Sequence, residues 1–172
     1  ALREKLVDQK FSITSVKTGE RRKNPQPPFT TSNLQQEAVR KLSFTTKKTM
    51  QIAQMLYEGV DIEGEGTVGL ISYIRTDSTR LSDEALTAAR DYISANFAPE
   101  YLPETPNIYK GRKNAQDAHE AIRPTHALFS PEKVKASLTR DQYRLYKLIY
   151  DRYLASQMTP AVYDTLAVEL GS

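Results

Sequence analysis

The 172-residue chain contains no cysteine, no tryptophan and only two histidines. Without cysteine, disulfides, thiolate metal ligands and cysteine nucleophiles are excluded, and a cytoplasmic location fits. No apolar run is long enough to span a membrane. The phosphate-binding pattern G-x-x-x-x-G-K-[ST] is also missing, so the sequence carries no such sign of ATP hydrolysis.

Basic residues outnumber acidic ones by 24 to 21, which gives a formal net charge of +3. This mild excess permits a polyanionic partner but does not require one. Positive charge is clustered in residues 20–23 and 110–113, and each cluster alone fits a solvated loop. With 39% hydrophobic residues, the chain can bury a packed core.

Apolar periodicity and cap residues predict a mostly α-helical body. The spacing places Tyr57 on the inner face of one helix. An acidic loop is predicted over 61–66, an extended run over 68–73, and a turn with a proline-stiffened linker over 18–28. Predicted helices cover 32–44, 45–59, 82–97, a short piece from Ser130 and 139–157, with a helix tail over 2–8 and a short helix over 117–122.

Two strand-like segments, 10–17 and 161–170, bracket the helices and are expected to pair. The fold class is therefore mostly α with flanking β-strands. We assign residues 29–158 to a helical domain inserted into a β-containing domain, of which residues 1–28 and 159–172 supply only edge strands. Because the chain opens on Ala1, it is interpreted as an internal piece of a larger protein.

The stretch GLISYIRTDSTRLS places a tyrosine and several phosphate-binding groups just before a helix start. A tyrosine hydroxyl is almost fully protonated at neutral pH, so it needs a base or nearby positive charge to act as a nucleophile. If the segment is extended, Tyr73, Arg75 and Asp77 share one face. The guanidinium would clamp a phosphate, the carboxylate would orient a neighbour or move a proton, and Thr76 and Ser78 would donate to phosphate oxygens.

A second stretch, DAHEAIRPT, holds one of the two histidines. His119 could donate a proton or a hydrogen bond to a phosphate oxygen, and Arg123 could add a second positive charge. Both stretches suit attack by a tyrosine on a phosphodiester, where negative charge builds up on the oxygens. Each alone also fits an ordinary surface segment, as a strand followed by a helix cap or as a solvated loop.

Four blocks resemble the type IA DNA topoisomerases. They are PPFTTSNLQQEA, GLISYIRTDSTRLS, DAHEAIRPT and ASQMTPAVYDT, and they follow one another in the family's order across nearly the whole chain. Ile74 follows the tyrosine where topoisomerase III and reverse gyrase tend to carry proline, so the resemblance favours the bacterial topoisomerase I branch.

The resemblance implies that Tyr73 attacks one DNA strand and becomes linked to its 5′ phosphate, so that another strand passes before resealing without ATP. It implies that Arg75 contacts the scissile phosphate and that His119 supports cleavage, and Asp77 and Arg123 fall on the family's motif positions. Together with the hydroxyls of Thr76 and Ser78, Asp77 and Arg123 are expected as further DNA contacts. The fold it implies is a tyrosine-bearing helical domain in a β-rich arch.

By the same resemblance, magnesium belongs to an acidic domain outside this chain, and no metal ligand is assigned here. The expected partners are single-stranded DNA at the cleavage site and the remaining domains of the polypeptide. The expected location is the bacterial cytoplasm, in association with the nucleoid. The segment alone is expected not to relax supercoiled DNA.

Two other readings are open. In the first, the chain is a non-catalytic module that binds single-stranded DNA or another partner, and Tyr73 only packs or stacks. In the second, it belongs to a tyrosine recombinase or type IB enzyme. Those enzymes place the tyrosine after the arginines, whereas Tyr73 precedes Arg75 and His119, so this reading is disfavoured.

Overall fold

The computed structural model describes residues 10–109 and 119–171. The chain divides into two compact units. One is the segment Pro25–Thr159, which holds the helices, and the other contains the paired outer strands. The basic cluster 110–113 and the helix tail predicted over 2–8 lie outside the described residues. Of the short helix predicted over 117–122, residues 119–122 are described and are not helical, since Ile122 instead forms an isolated bridge with Phe29.

The helices begin where hydroxyl side chains cap their first turns. The Thr30 hydroxyl accepts from the Asn33 amide at 3.3 Å. In the same way, the Thr45 hydroxyl accepts from the Lys48 amide and the Ser82 hydroxyl from the Ala85 amide. In the described part of the chain there are five α-helices: α1 Thr31–Leu42, α2 Thr46–Glu58, α3 Asp83–Asn96, α4 Pro131–Val134 and α5 Arg140–Ser156.

Helix α5 is the longest of these and packs against α1, α2 and α3. A complete capping box at Thr139 and Gln142 starts it. It buries three tyrosines whose hydroxyls donate to backbone carbonyls: Tyr146 to Phe129, Tyr150 to Ala127 and Tyr153 to Ala85. Each buried hydroxyl is thereby satisfied, so the core uses tyrosine without an unpaired polar group.

The acidic stretch predicted as a loop over 61–66 is instead the centre of a small hairpin. Strand β2, Val60–Ile62, pairs antiparallel with β3, Gly66–Val68. Gly59 ends α2 with φ of 135°, a conformation that favours glycine, and lets the chain reverse. Of the extended run predicted over 68–73, Val68 is the last residue of β3 and Ile71 forms an isolated bridge with Pro124.

The outer strands pair with each other, as predicted. Strand β1, Ser12–Lys23, runs antiparallel to β4, Ala161–Gly171, and both are largely exposed. The prediction of a turn from Thr18 was wrong, because the ladder continues to the pairing of Lys23 with Ala161. The division falls after Asn24, and whether the two-strand unit belongs to an arch stays a prediction.

Residues 25–28 belong to the helical unit, not to a linker. The Tyr109 hydroxyl donates to the Pro25 carbonyl at 3.3 Å, and the Arg152 guanidinium donates to the Pro27 carbonyl at 3.2 Å. Phe29, fully buried, forms an isolated bridge with Ile122. The proline-rich stretch is therefore tied down by side chains that the local sequence could not reveal. None of the described helices is long and apolar enough to cross a membrane.

Candidate active site around Tyr73

The backbone before Tyr73 is anchored to the end of helix α2. The Leu70 amide donates to the Leu56 carbonyl at 2.8 Å, one of the carbonyls that a helix end leaves without an internal partner. At Gly69 the chain passes so close that an added Cβ would lie 2.7 Å from the Tyr57 carbonyl oxygen. Glycine is therefore required here for steric reasons, and it brings Tyr73 up to α2.

The other side of the same backbone is anchored to the HEAIRPT segment. The Ser72 amide donates to the Arg123 carbonyl at 2.9 Å, and the Arg123 amide donates to the Ser72 hydroxyl at 3.0 Å. The Ser72 hydroxyl in turn donates to the Ala121 carbonyl at 2.7 Å. The two stretches that sequence analysis singled out are thus joined one residue away from the tyrosine.

Three aromatic rings meet at this junction. The Tyr73 and His119 ring centroids lie 6.4 Å apart with an interplanar angle of 65°. The Tyr57 and Tyr73 centroids lie 5.6 Å apart at 67°. Both are edge-to-face arrangements, which aromatic pairs favour. The side chain of Tyr73 is 48% exposed, so its ring is supported by neighbours while part of its surface is open to an incoming molecule.

Exposure alternates along the turn. Tyr73, Arg75 and Asp77 are exposed, whereas Ile74 and Thr76 between them are buried. Arg75 lines an open groove along α2 together with Lys47, Met50 and Gln54, among others. The structure thus brings Tyr73 and His119 together, and it places Arg75 against the outer face of α2.

Thr76 and Ser78 shape the turn. Their side chains are buried, and their hydroxyls accept from the amides of Ser78 at 3.0 Å and Arg80 at 3.2 Å. The Thr76 amide and carbonyl both bond to Thr31 in the first turn of α1. These contacts hold the turn against the helical body, and phosphate binding by the two hydroxyls stays a prediction.

Arg123 is engaged within its own segment. Its guanidinium pairs with the Glu120 carboxylate at 2.7 Å and donates to the Pro124 carbonyl at 2.9 Å. It lines a cavity of about 500 Å³ beside α3, together with Tyr153. Burial raises the pKa of Tyr153 to about 12. Tyr153 is therefore a structural phenol inside the unit, unlike the exposed Tyr73.

Two comparisons with known proteins identify the family of this chain. A family model described as DNA topoisomerase matches residues 1–172. The chain belongs to the DNA topoisomerase family. It is also similar to the solved structure of full-length topoisomerase I from Thermotoga maritima, with 42% sequence identity and a TM-score of 0.80. The match covers 98% of this chain and 26% of the Thermotoga chain, so the segment spans about a quarter of that topoisomerase.

Among the described residues of this topoisomerase segment, no group of three or more histidine, aspartate or glutamate side chains could hold a metal ion. The acidic residues of the hairpin do not form such a group. A magnesium site elsewhere in the polypeptide stays a prediction.

Sequence reasoning missed Tyr57 as a neighbour of the candidate nucleophile. Helical periodicity placed it on the inner face of α2, but its side chain is 38% exposed and contacts Tyr73. The usable signal was the pair of glycines that flank the hairpin, Gly59 and Gly69. A tight reversal between them returns the chain to the end of α2, where Tyr57 lies.

Proposed function

We propose that this chain is the tyrosine-bearing part of a type IA DNA topoisomerase. Tyr73 is the nucleophile, one strand of DNA is the substrate, and relaxation of negatively supercoiled DNA is the outcome for the complete enzyme. The observation that carries the proposal is the partly exposed phenol of Tyr73 next to the His119 ring, in a chain of the DNA topoisomerase family.

The reaction is a reversible exchange of oxygens at phosphorus. The Tyr73 oxygen loses its proton and forms a bond to the phosphorus, while the bond to the 3′ oxygen of the preceding sugar breaks and that oxygen takes a proton. The strand is then held by a 5′-phosphotyrosine link. Because the exchange makes one phosphate ester for each one it breaks, the hydroxyl can attack back and reseal the strand without ATP.

The neighbouring side chains have distinct roles in this proposal. His119 donates a hydrogen bond or proton at the reacting phosphate, close to the tyrosine ring. Arg75, exposed like Tyr73 and two residues after it, clamps the phosphate through two parallel N–H···O bonds. Asp77 orients a cationic neighbour or moves a proton. Arg123 keeps the HEAIRPT segment in place through Glu120, and its contact with DNA remains a further proposal.

The complete enzyme would place this helical unit within a β-rich arch, to which the strands β1 and β4 belong. Magnesium would be bound by another domain of the same polypeptide, and the site would take a single-stranded stretch of DNA in the bacterial cytoplasm. The segment alone would not relax a supercoiled plasmid. If the purified segment relaxed a plasmid in the presence of magnesium, at less than one copy per plasmid, the proposal that it needs the other domains would be wrong.

The proposal is tested by Tyr73→Phe in a full-length topoisomerase that carries this segment. We expect no covalent adduct with a labelled single-stranded oligonucleotide and no plasmid relaxation, with DNA binding retained, because only the attacking oxygen is lost. Tyr101→Phe, at another tyrosine with 48% exposure, is the matched control and should behave like the unchanged enzyme. If Tyr73→Phe still forms an adduct, another residue of the full-length protein must attack the DNA. This chain would then be the non-catalytic DNA-binding module.

A further inference from the structure

Tyr57 has no role in the proposed chemistry, yet its ring makes the closest aromatic contact that Tyr73 has. The two centroids are 5.6 Å apart, against 6.4 Å between Tyr73 and His119. A ring that is 48% exposed would otherwise sample several side-chain rotamers on the surface. An edge-to-face partner on one flank restricts that sampling.

Backbone contacts hold the main chain of Tyr57 close to the segment that leads to Tyr73. Tyr57 lies in the last turn of α2, whose end is fixed by the bond from the Leu70 amide to the Leu56 carbonyl. The close passage of Gly69 past the Tyr57 carbonyl leaves little room for sliding. The site is thus built on a helix end and a short connection, which is more precise than a free loop.

We propose that Tyr57 is a positioning residue that holds the Tyr73 ring in its reactive orientation. The inference rests on the proposed function, because it assigns Tyr57 to the same reaction. Tyr57 does not touch the reacting phosphate. Its ring face or edge reduces the number of orientations of the Tyr73 phenol, so a larger share of molecules presents the oxygen to phosphorus.

The inference makes a prediction about the ring and not about the Tyr57 hydroxyl. Tyr57→Phe keeps the ring and should leave cleavage unchanged. Tyr57→Leu keeps an apolar side chain of good helix propensity but removes the ring, and should slow single-turnover adduct formation about three- to tenfold. DNA affinity should be unchanged in both, because the strand is held by other groups.

The experiment measures adduct formation with a labelled single-stranded oligonucleotide, in a full-length topoisomerase that carries this segment. Tyr101→Leu is the matched control for Tyr57→Leu. Tyr101 is also an exposed tyrosine that packs on another aromatic ring, that of Phe97, with centroids 6.1 Å apart. Loss in Tyr57→Leu alone supports the inference. If thermal melting shows that Tyr57→Leu has lost its fold, Tyr57→Met replaces it, with the same expectation.

Three results would overturn the inference. The first is a cleavage rate of Tyr57→Leu within about twofold of the unchanged enzyme, which is below the effect expected for an aromatic pair. The second is an equal loss of rate in Tyr57→Phe and Tyr57→Leu, and the third is a fall in DNA affinity that accounts for the slower reaction. The Tyr73→Phe variant is measured in parallel. If Tyr73→Phe still forms the adduct, the proposed function fails, whatever the cleavage rates of the Tyr57 variants. If Tyr73→Phe forms no adduct but both Tyr57 variants cleave at the normal rate, only the positioning role of Tyr57 is removed.

Discussion

The rings of Tyr73 and His119 lie edge to face with their centroids 6.4 Å apart, although they come from separate stretches of the chain. The contact depends on the Ser72–Arg123 pairing one residue from the tyrosine. The hydrogen bonds made by Ser72 thus hold the two stretches that carry these rings side by side. A phosphate between an exposed phenol and an imidazole would meet both a nucleophile and a proton donor.

His119→Asn should lower the rate of adduct formation about a hundredfold, because asparagine keeps an N–H donor but cannot give up a proton at the reacting phosphate. Folding should be unaffected, since His119 is exposed. The other histidine gives a matched control: His126→Asn alters a ring that packs on Phe129, 5.4 Å between centroids, and should leave cleavage unchanged. Single-turnover cleavage with thermal melting checks both, and equal effects at the two histidines would remove His119 from the mechanism.

Arg75→Ala should slow cleavage about tenfold or more while leaving the melting temperature unchanged, because an exposed phosphate clamp is lost without disturbing the core. Arg75→Lys should recover only part of the rate, since an ammonium cannot make the two parallel hydrogen bonds of a guanidinium. Lys47→Ala, in the same groove, is the control. A normal rate in Arg75→Ala would remove the phosphate-binding role assigned to Arg75.

Gly69→Ala should destabilise the 172-residue chain by about 1–3 kcal/mol, as expected when an atom is forced into a packed site. Its Cβ would lie 2.7 Å from the Tyr57 carbonyl oxygen, which is backbone and cannot turn away. Gly64→Asn tests the hairpin without a clash, because nothing lies within 4 Å of its Cβ and asparagine tolerates the positive φ. Urea unfolding measures both, and equal stability of the two variants would contradict the steric argument.

Glu37 should make the stability depend on pH. Burial disfavours its charged form, but the hydrogen bond from Lys41 and the charges of Lys41, Arg40 and Arg152 outweigh that and lower its pKa from the usual 4.5. A carboxyl whose pKa is lower in the folded state stabilises the fold above about pH 4.5, and this contribution disappears as the pH falls through the folded-state pKa.

Glu37→Gln should therefore cost about 1–3 kcal/mol near neutral pH, partly because the half-buried Arg152 loses a charged partner. The difference between the two proteins should shrink as the pH falls below about 4.5. Urea unfolding from pH 3 to 7 measures it. Glu20→Gln, at an exposed ion pair with Arg22 in the strand unit, is the control and should change little. A difference independent of pH would refute the ionic role of Glu37.

Local sequence patterns predicted the helices well, because the cap residues and the apolar spacing of a helix lie within one short segment. The hydroxyl caps at Thr30, Thr45 and Ser82 set the helix starts, and Gly59 ends α2, close to the predicted bounds of 32–44, 45–59 and 82–97. The second half of β1 was missed because its pairing partner, β4, lies far away in the chain. The acidic hairpin was missed although its two strands are neighbours in sequence, because three-residue strands carry too little alternation to be recognised. The strand over Thr18–Lys23 exists only because β4 lies beside it.

The sequence by itself determined the family, through four blocks in a fixed order, and it singled out Tyr73 and His119 by their chemistry. Only the tertiary structure decided which groups meet. It placed Tyr57 against Tyr73, turned Thr76 and Ser78 inward to the backbone, and paired Arg123 with Glu120. The reason is physical: a residue's type defines what it can do chemically, but its neighbours are set by hydrogen bonds and packing between segments far apart in the chain.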